Sequence, residues 1–106
     1  NYPTQLEVNS VLFSQNSIAS CFRGGKMHNV PLYATINLLN RLKEEDVDGS
    51  FTQLRSYITN EIPWIRVLKL PDTHPLREHG EFITLDNRRL FCFRMVLRNL
   101  ILNSSL

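Results

Sequence analysis

A chain of 106 residues has room for one domain with one hydrophobic core, and this length excludes two ordinary domains. Hydrophobic content of 42% and charged content of 21% are typical of a globular domain, and no apolar run approaches the roughly 20 residues of a membrane span. The net charge of +2 is too small to indicate nucleic-acid binding by itself. The charges are unevenly placed, with a late basic group (Arg88, Arg89, Arg94, Arg98) and a central acidic group (Glu44, Glu45, Asp46, Asp48).

The first half of the chain is predicted to contain a strand and a helix. Residues 1–7 read as a lead-in segment, and Val8–Phe13 has the composition of a strand. The loop at 23–26 contains paired glycines, which resist regular structure. A helix is predicted from about Pro31 to Glu44, because proline suits a first helical turn and apolar residues recur at helical spacing. The predicted inward stripe consists of Leu32, Tyr33, Ile36, Leu39 and Leu42.

The second half is predicted to add two helices and two strands. Ser50 and Gln53 match a capping box, which predicts a helix beginning at Ser50. Pro63 ends that helix, and Trp64–Leu70 reads as a strand. The remaining elements are a polar loop at Pro71–Gly80, a strand at Glu81–Leu85 and a helix at Asn87–Ile101. We therefore expect a single α+β domain at residues 8–101, with a small mixed sheet, about three helices and a tail at 102–106.

The junction between the last predicted strand and helix has an unusual charge. Asp86 suits the N-cap, and Leu85 and Leu90 have the spacing of a hydrophobic staple. Arg88 and Arg89 then lie in the first helical turn, where the helix dipole disfavours positive charge. Two arginines at a helix start indicate an anion site, and they also suit a structural Arg–carboxylate pair. The residues leave both interpretations open.

Other polar residues are weaker candidates for chemistry. Asp86 with Glu81 or Asp72 is a candidate Mg²⁺ set for phosphodiester cleavage, although carboxylates at strand ends also act as caps. The candidate supporting cations are Arg23, Lys26 and Arg94. The histidines lack the spacing of a common metal-ligand set, so no metal site is predicted from them.

The cysteines and aromatic residues add little by themselves. Cys21 and Cys92 form neither a disulfide scaffold nor a zinc motif, so we expect thiols in an intracellular, reducing compartment. Phe93 is expected in the core. For Trp64 the sequence leaves two roles open, packing in the core and stacking on a base.

Three segments occur in a familiar order: Leu12-Phe13-Ser14-Gln15-Asn16-Ser17-Ile18, then Ile62-Pro63-Trp64-Ile65-Arg66-Val67, then Ile83-Thr84-Leu85-Asp86-Asn87-Arg88-Arg89-Leu90-Phe91-Cys92-Phe93-Arg94. In this order the chain resembles the ParB/sulfiredoxin-like domain superfamily, especially its ParB-like nuclease domains. The resemblance covers roughly residues 8–101, and only the last segment is specific.

In that superfamily the polar turn before the helix binds the phosphates of a nucleotide or the backbone of DNA. The resemblance implies that Asp86, Asn87, Arg88 and Arg89 line the equivalent pocket, with Arg89 the best match to the family arginine. Where sulfiredoxins carry their catalytic cysteine, this chain has Asn87 and Arg88, so reductase activity is not expected. Asp86 replaces the glycine of partition proteins.

Two functional hypotheses follow. In the first, the domain binds a nucleotide or nucleic acid through Asn87, Arg88 and Arg89, with Asp86 as the candidate catalytic residue of a metal-dependent nuclease or nucleotide hydrolase. Mg²⁺ or a nucleotide is then the candidate cofactor, and no membrane partner is expected. In the second, the domain is a non-catalytic protein–protein interaction module that retains the fold and has lost the chemistry.

Overall fold

A computed structural model describes residues 3–23, 27–96 and 101–105. The helices in these ranges are α1 (Leu32–Glu44), α2 (Thr52–Glu61) and α3 (Asn87–Val96). The strands are β1 (Pro3–Glu7), β2 (Val11–Leu12), β3 (Ile65–Lys69), β4 (Phe82–Thr84) and β5 (Ile101–Ser105), with a 3₁₀ turn at Val8–Ser10. The predicted α+β class is confirmed. None of these described helices has both the length and the apolar composition that crossing a membrane requires.

The strands form one mixed sheet in the order β1-β5-β3-β4-β2. β5 is antiparallel to β1 and parallel to β3, whereas β4 is antiparallel to β3 and parallel to β2. At the end of β4, Thr84 is paired with Val67 of β3. The chain that leaves β4 for α3 therefore starts beside the β3 backbone.

The core lies between the three helices and one face of the sheet. In β3, Ile65 and Val67 are buried while Arg66 is exposed, which is the alternation of a strand covered on one side. The helices contribute further buried residues, among them Leu39, Leu54, Leu90 and Phe93. The prediction that Phe93 is a core residue is confirmed. Tyr33 was predicted to widen the inward stripe of α1, but it is 68% exposed.

The predicted strand at Val8–Phe13 is wrong over its first three residues, which form the 3₁₀ turn. Val8 and Val11 are both fully buried, and their i, i+3 spacing fits three residues per turn rather than strand alternation. The Ser10 hydroxyl donates to the Glu7 carbonyl oxygen at 2.7 Å, a local bond that competes with strand pairing. Only Val11 and Leu12 join the sheet here.

The two ends of the chain form strands that the sequence pattern did not indicate. β1 lies in the predicted lead-in and pairs over its whole length with β5, which lies mainly in the predicted tail. The predicted helix ending at Ile101 is wrong at that end, because Ile101 begins β5. Pairing between chain ends is a long-range contact, so local propensity carries no information about it.

The predicted capping box at α2 is also wrong. The helix begins at Thr52, and Phe51 before it has a left-handed backbone with φ of 53°. Asp46 supplies the local order instead, because its carboxylate accepts hydrogen bonds from the N–H groups of Gly49 at 2.6 Å and Phe51 at 3.0 Å. The Ser50 hydroxyl donates to Asp48 at 2.7 Å.

Candidate anion-binding pocket at the start of α3

Hydrogen bonds to the β3 backbone and within the turn itself fix the chain between β4 and α3. The Leu85 N–H donates to the Arg66 carbonyl at 2.8 Å, and the Asp86 N–H donates to the Thr84 hydroxyl at 2.9 Å. The Leu90 N–H then donates to the Asp86 carbonyl at 3.1 Å, closing the first helical turn. Leu90 is fully buried whereas Leu85 is 45% exposed, so burial does not support the predicted hydrophobic staple.

The Asp86 carboxylate binds two arginines. Its Oδ2 accepts from the Arg66 backbone N–H at 2.6 Å, and its Oδ1 accepts from Arg66 Nη2 at 2.8 Å and Arg89 Nη2 at 2.6 Å. In the part of the chain that the structure describes, the first N–H groups of α3 donate no hydrogen bond to this carboxylate. The Asp86 side chain, expected as the N-cap of α3, is therefore directed to β3. This is the structural Arg–carboxylate pair, one of the two interpretations that the sequence left open.

Two opposing effects act on the pKa of Asp86. Burial alone raises this pKa, but the hydrogen bonds from Arg66 and the positive charge of Arg89 outweigh burial and bring the pKa below its usual value. The carboxylate is consequently ionised at neutral pH and fully occupied by arginine donors. This arrangement suits a structural role better than general acid–base catalysis.

Arg89 joins α3 to the segment before β3. Its Nη1 donates to the carbonyl oxygens of Pro63 and Trp64, each at 2.9 Å, while its Nη2 pairs with Asp86. Only 18% of its side chain is exposed. Burial lowers the pKa of Arg89 and the Asp86 charge offsets part of that effect, but an arginine stays protonated in either case.

Asn87 connects α3 to the chain that follows β2. Its Oδ1 accepts the Ser14 N–H and its Nδ2 donates to the Ser14 hydroxyl, both at 2.8 Å. The residue is buried. Both polar atoms of the Asn87 side-chain amide are thus hydrogen-bonded to one residue, which lies 73 positions earlier in the chain.

The remaining cations of this region line a pocket. Arg66 retains 62% side-chain exposure beyond its pair with Asp86, and Arg23 is exposed. Arg88 is half-buried, and its Nε is buried with no hydrogen-bond partner among the described residues. The pocket has a volume of about 260 Å³. Its described lining residues are Gln15, Phe22, Arg23, Arg66, Leu85, Asp86, Asn87, Arg88 and Arg89, so four guanidinium groups of the described chain face one carboxylate.

The other predicted supporting cations lie elsewhere. Arg94 donates to the carbonyl oxygens of Val8 and Val11, and its guanidinium lies 4.7 Å from the centre of the Phe13 ring. It therefore holds the 3₁₀ turn and β2 against α3 and does not line the pocket. Lys26 is outside the described residues.

The carboxylates proposed as a Mg²⁺ set are paired with basic side chains. Asp72 contacts Arg77 at 2.7 Å, and Glu81 contacts Lys69 at 3.3 Å and Arg77 at 3.7 Å. Within residues 3–23, 27–96 and 101–105, no three His, Cys, Asp or Glu side chains are grouped as metal ligands. The structure does not bring Asp86, Glu81 and Asp72 together as such a set.

The thiol of the cysteine nearest the turn is poorly reactive. Cys92 is fully buried, and burial raises the pKa of its thiol to about 12. A thiol that stays protonated at neutral pH is a poor nucleophile. Cys21 is half-buried and, like Cys92, is a free thiol.

Arg66 is the charged residue of the pocket that the sequence pattern did not indicate. It lies on β3, apart from the Asp-Asn-Arg-Arg turn, and the pairing of β3 with β4 brings it to Asp86. The available signal was the polar position between Ile65 and Val67, which indicates an exposed side chain on a half-buried strand.

No protein-family model, curated protein or solved structure matches this chain.

Proposed function

We propose that this domain binds the phosphate of a nucleotide or nucleic acid in the arginine pocket at the start of α3. The observation that carries the proposal is the charge of that pocket. Arg23, Arg66 and Arg88 line it, and the one carboxylate among its described lining residues, Asp86, is already paired with Arg66 and Arg89. Among the described residues, neither Arg23 nor Arg88 makes an ion pair that a phosphate would have to displace.

The residues of the turn divide into two groups under this proposal. Asp86, Asn87 and Arg89 hold the turn in place through contacts with β3, Ser14 and the Pro63–Trp64 carbonyls. Arg88, with Arg66 and Arg23, supplies the guanidinium donors that a phosphate accepts in pairs. The N-terminal end of α3 adds partial positive charge at the same point. The role that the resemblance gave to Arg89 moves in this way to its neighbour Arg88.

The proposal is limited to binding. The resemblance to ParB-like nuclease domains is compatible with phosphate binding at this turn, but the Asp86 carboxylate is engaged by arginines and leaves the proposed cleavage step without a base. Cleavage of a labelled oligonucleotide that requires both Mg²⁺ and Asp86 would add a nuclease step.

Equilibrium titration tests the proposal. CTP, ATP and short single- and double-stranded oligonucleotides are titrated at about 50 and 200 mM salt, where phosphate binding predicts affinity that falls as salt rises. Arg88→Ala is expected to weaken binding about tenfold or more, since a hydrogen bond to a charged group contributes about 1.5–3 kcal/mol. Arg41→Ala, which removes an exposed arginine from the last turn of α1, is the matched control and keeps wild-type affinity.

A protein–protein interaction module is the second candidate. The observation that favours it is the internal use of Asp86, Asn87 and Arg89, which is what a purely structural turn requires. If folded wild-type protein binds none of the phosphate ligands at low salt, the second candidate replaces the first.

A further inference from the structure

Trp64 is the sole tryptophan of the chain, and its side chain is 41% exposed. Its backbone is held firmly, because the carbonyl oxygens of Pro63 and Trp64 both accept from Arg89. An exposed indole on a fixed backbone keeps a large flat apolar surface in water, where it offers a platform for another ring. The Arg89 contact also links this platform directly to the arginine pocket.

A groove of about 220 Å³ lies next to Trp64. Ile62 and Phe93 give it an apolar floor, while Gln5 and Arg55 bring polar groups to it. The Arg55 guanidinium is exposed and makes no hydrogen bond or ion pair with the described residues. The groove thus combines an aromatic surface with a cation that no described acidic side chain pairs with.

Trp64 directly precedes β3 and Arg66 is the second residue of that strand, so these two exposed residues stand on either side of buried Ile65 in the chain. The Cα atoms of residues two positions apart are separated by at most about 7 Å, because each residue of an extended chain spans about 3.3–3.6 Å. A ring stacked on Trp64 would therefore lie within one nucleotide's reach of a phosphate held by Arg66. Counting the described residues only, the groove and the pocket together present five arginines and one carboxylate, Asp86.

We propose that the groove and the arginine pocket form one site for single-stranded nucleic acid, with a base stacked on Trp64 and the adjacent phosphate in the pocket. This inference rests on the proposed phosphate binding. Bases in a duplex are already stacked on each other, so only an unpaired base can cover the indole. The separate cation in the groove, Arg55, favours a strand, which has a phosphate on each side of the base, over a mononucleotide.

The fluorescence of Trp64 reports on the stacking directly, because no other tryptophan contributes. Octathymidylate is titrated against an octamer of abasic sites with the same phosphates, an octamer duplex and thymidine monophosphate. We expect octathymidylate to quench Trp64 and to bind about tenfold or more tightly than the abasic octamer. Equal affinity of thymidine monophosphate and octathymidylate, or binding of octathymidylate without quenching, would overturn the inference.

Variants separate the inference from the proposed function. Anisotropy of labelled octathymidylate is measured with Trp64→Ala, Trp64→Phe and a control, Tyr33→Ala, which removes an aromatic that is 68% exposed on α1. The inference predicts loss of about tenfold in Trp64→Ala, partial retention in Trp64→Phe and no change in Tyr33→Ala. Wild-type affinity in Trp64→Ala combined with lost affinity in Arg88→Ala overturns the stacking and leaves phosphate binding intact. Absence of binding by the wild-type protein overturns both.

Discussion

The starts of α2 and α3 each follow an aspartate, and the two aspartates bind different partners. Asp46 accepts from the N–H groups of Gly49 and Phe51, within its own turn. Asp86 accepts from Arg66, 20 residues earlier in the chain, and from Arg89. The hydrogen bonds of Asp46 are made inside its own turn, so they need no contact from elsewhere in the fold. The second turn depends on the fold, and within the described ranges its aspartate accepts no hydrogen bond from the first N–H groups of α3.

The largest expected difference between the two turns is in stability. Asp86→Ala leaves the mostly buried Arg89 guanidinium without its carboxylate, which is expected to cost about 3 kcal/mol. Asp46→Ala removes a half-buried carboxylate that accepts hydrogen bonds only within its turn, and it is expected to cost about 1 kcal/mol. Urea unfolding of both variants and wild type gives the comparison, and equal losses would show that the Asp86 pair has no special structural role.

A smaller loss in the free energy of unfolding is expected for Asn87→Ala. This substitution removes both hydrogen bonds to Ser14 and leaves a part-buried N–H group without its acceptor, at an expected cost of about 1–2 kcal/mol. Asn60→Ala is a control, because Asn60 is an exposed amide on α2 that bonds Ser56 within the same helix. A loss in Asn87→Ala no greater than in this control would contradict the link between α3 and Ser14.

The smallest difference is expected in the response to acid. Because the pKa of Asp86 is lowered on folding, its contribution to stability is complete above the unfolded value of 3.8 and is lost as pH falls through the folded value. Between about pH 5 and pH 3 the wild-type protein should therefore lose more stability than Asp86→Ala. Hydrogen bonds from Ser50 lower the pKa of Asp48 as well, but Asp48 is common to both proteins and cancels. Parallel acid slopes would contradict the pairing of an ionised Asp86.

Local sequence patterns predicted the elements around the site but not the contacts that assemble it. Proline and apolar spacing placed α1 correctly, and strand composition placed β3. The β1–β5 pair and the 3₁₀ turn at Val8–Ser10 were missed, since the first depends on chain ends meeting and the second on a buried i, i+3 pair.

The same limit applied to the candidate site. The sequence shows two arginines, Arg88 and Arg89, at a helix start where acidic residues are usual. The carbonyl oxygens that accept hydrogen bonds from Arg89 come from the segment before β3, which the sequence does not show. Only the fold distinguishes the arginine that holds the turn from the arginine that lines the pocket.

That distinction is the central claim, and one paired measurement on Arg88→Ala tests it most directly. Its affinity for octathymidylate and its free energy of unfolding are determined in the same buffer, beside Arg41→Ala. The Arg88 Nε has no partner to lose among the described residues, so we expect stability within about 0.5 kcal/mol of wild type and affinity about tenfold or more weaker. Wild-type affinity in Arg88→Ala, or a loss of stability as large as that of Asp86→Ala, would contradict the account.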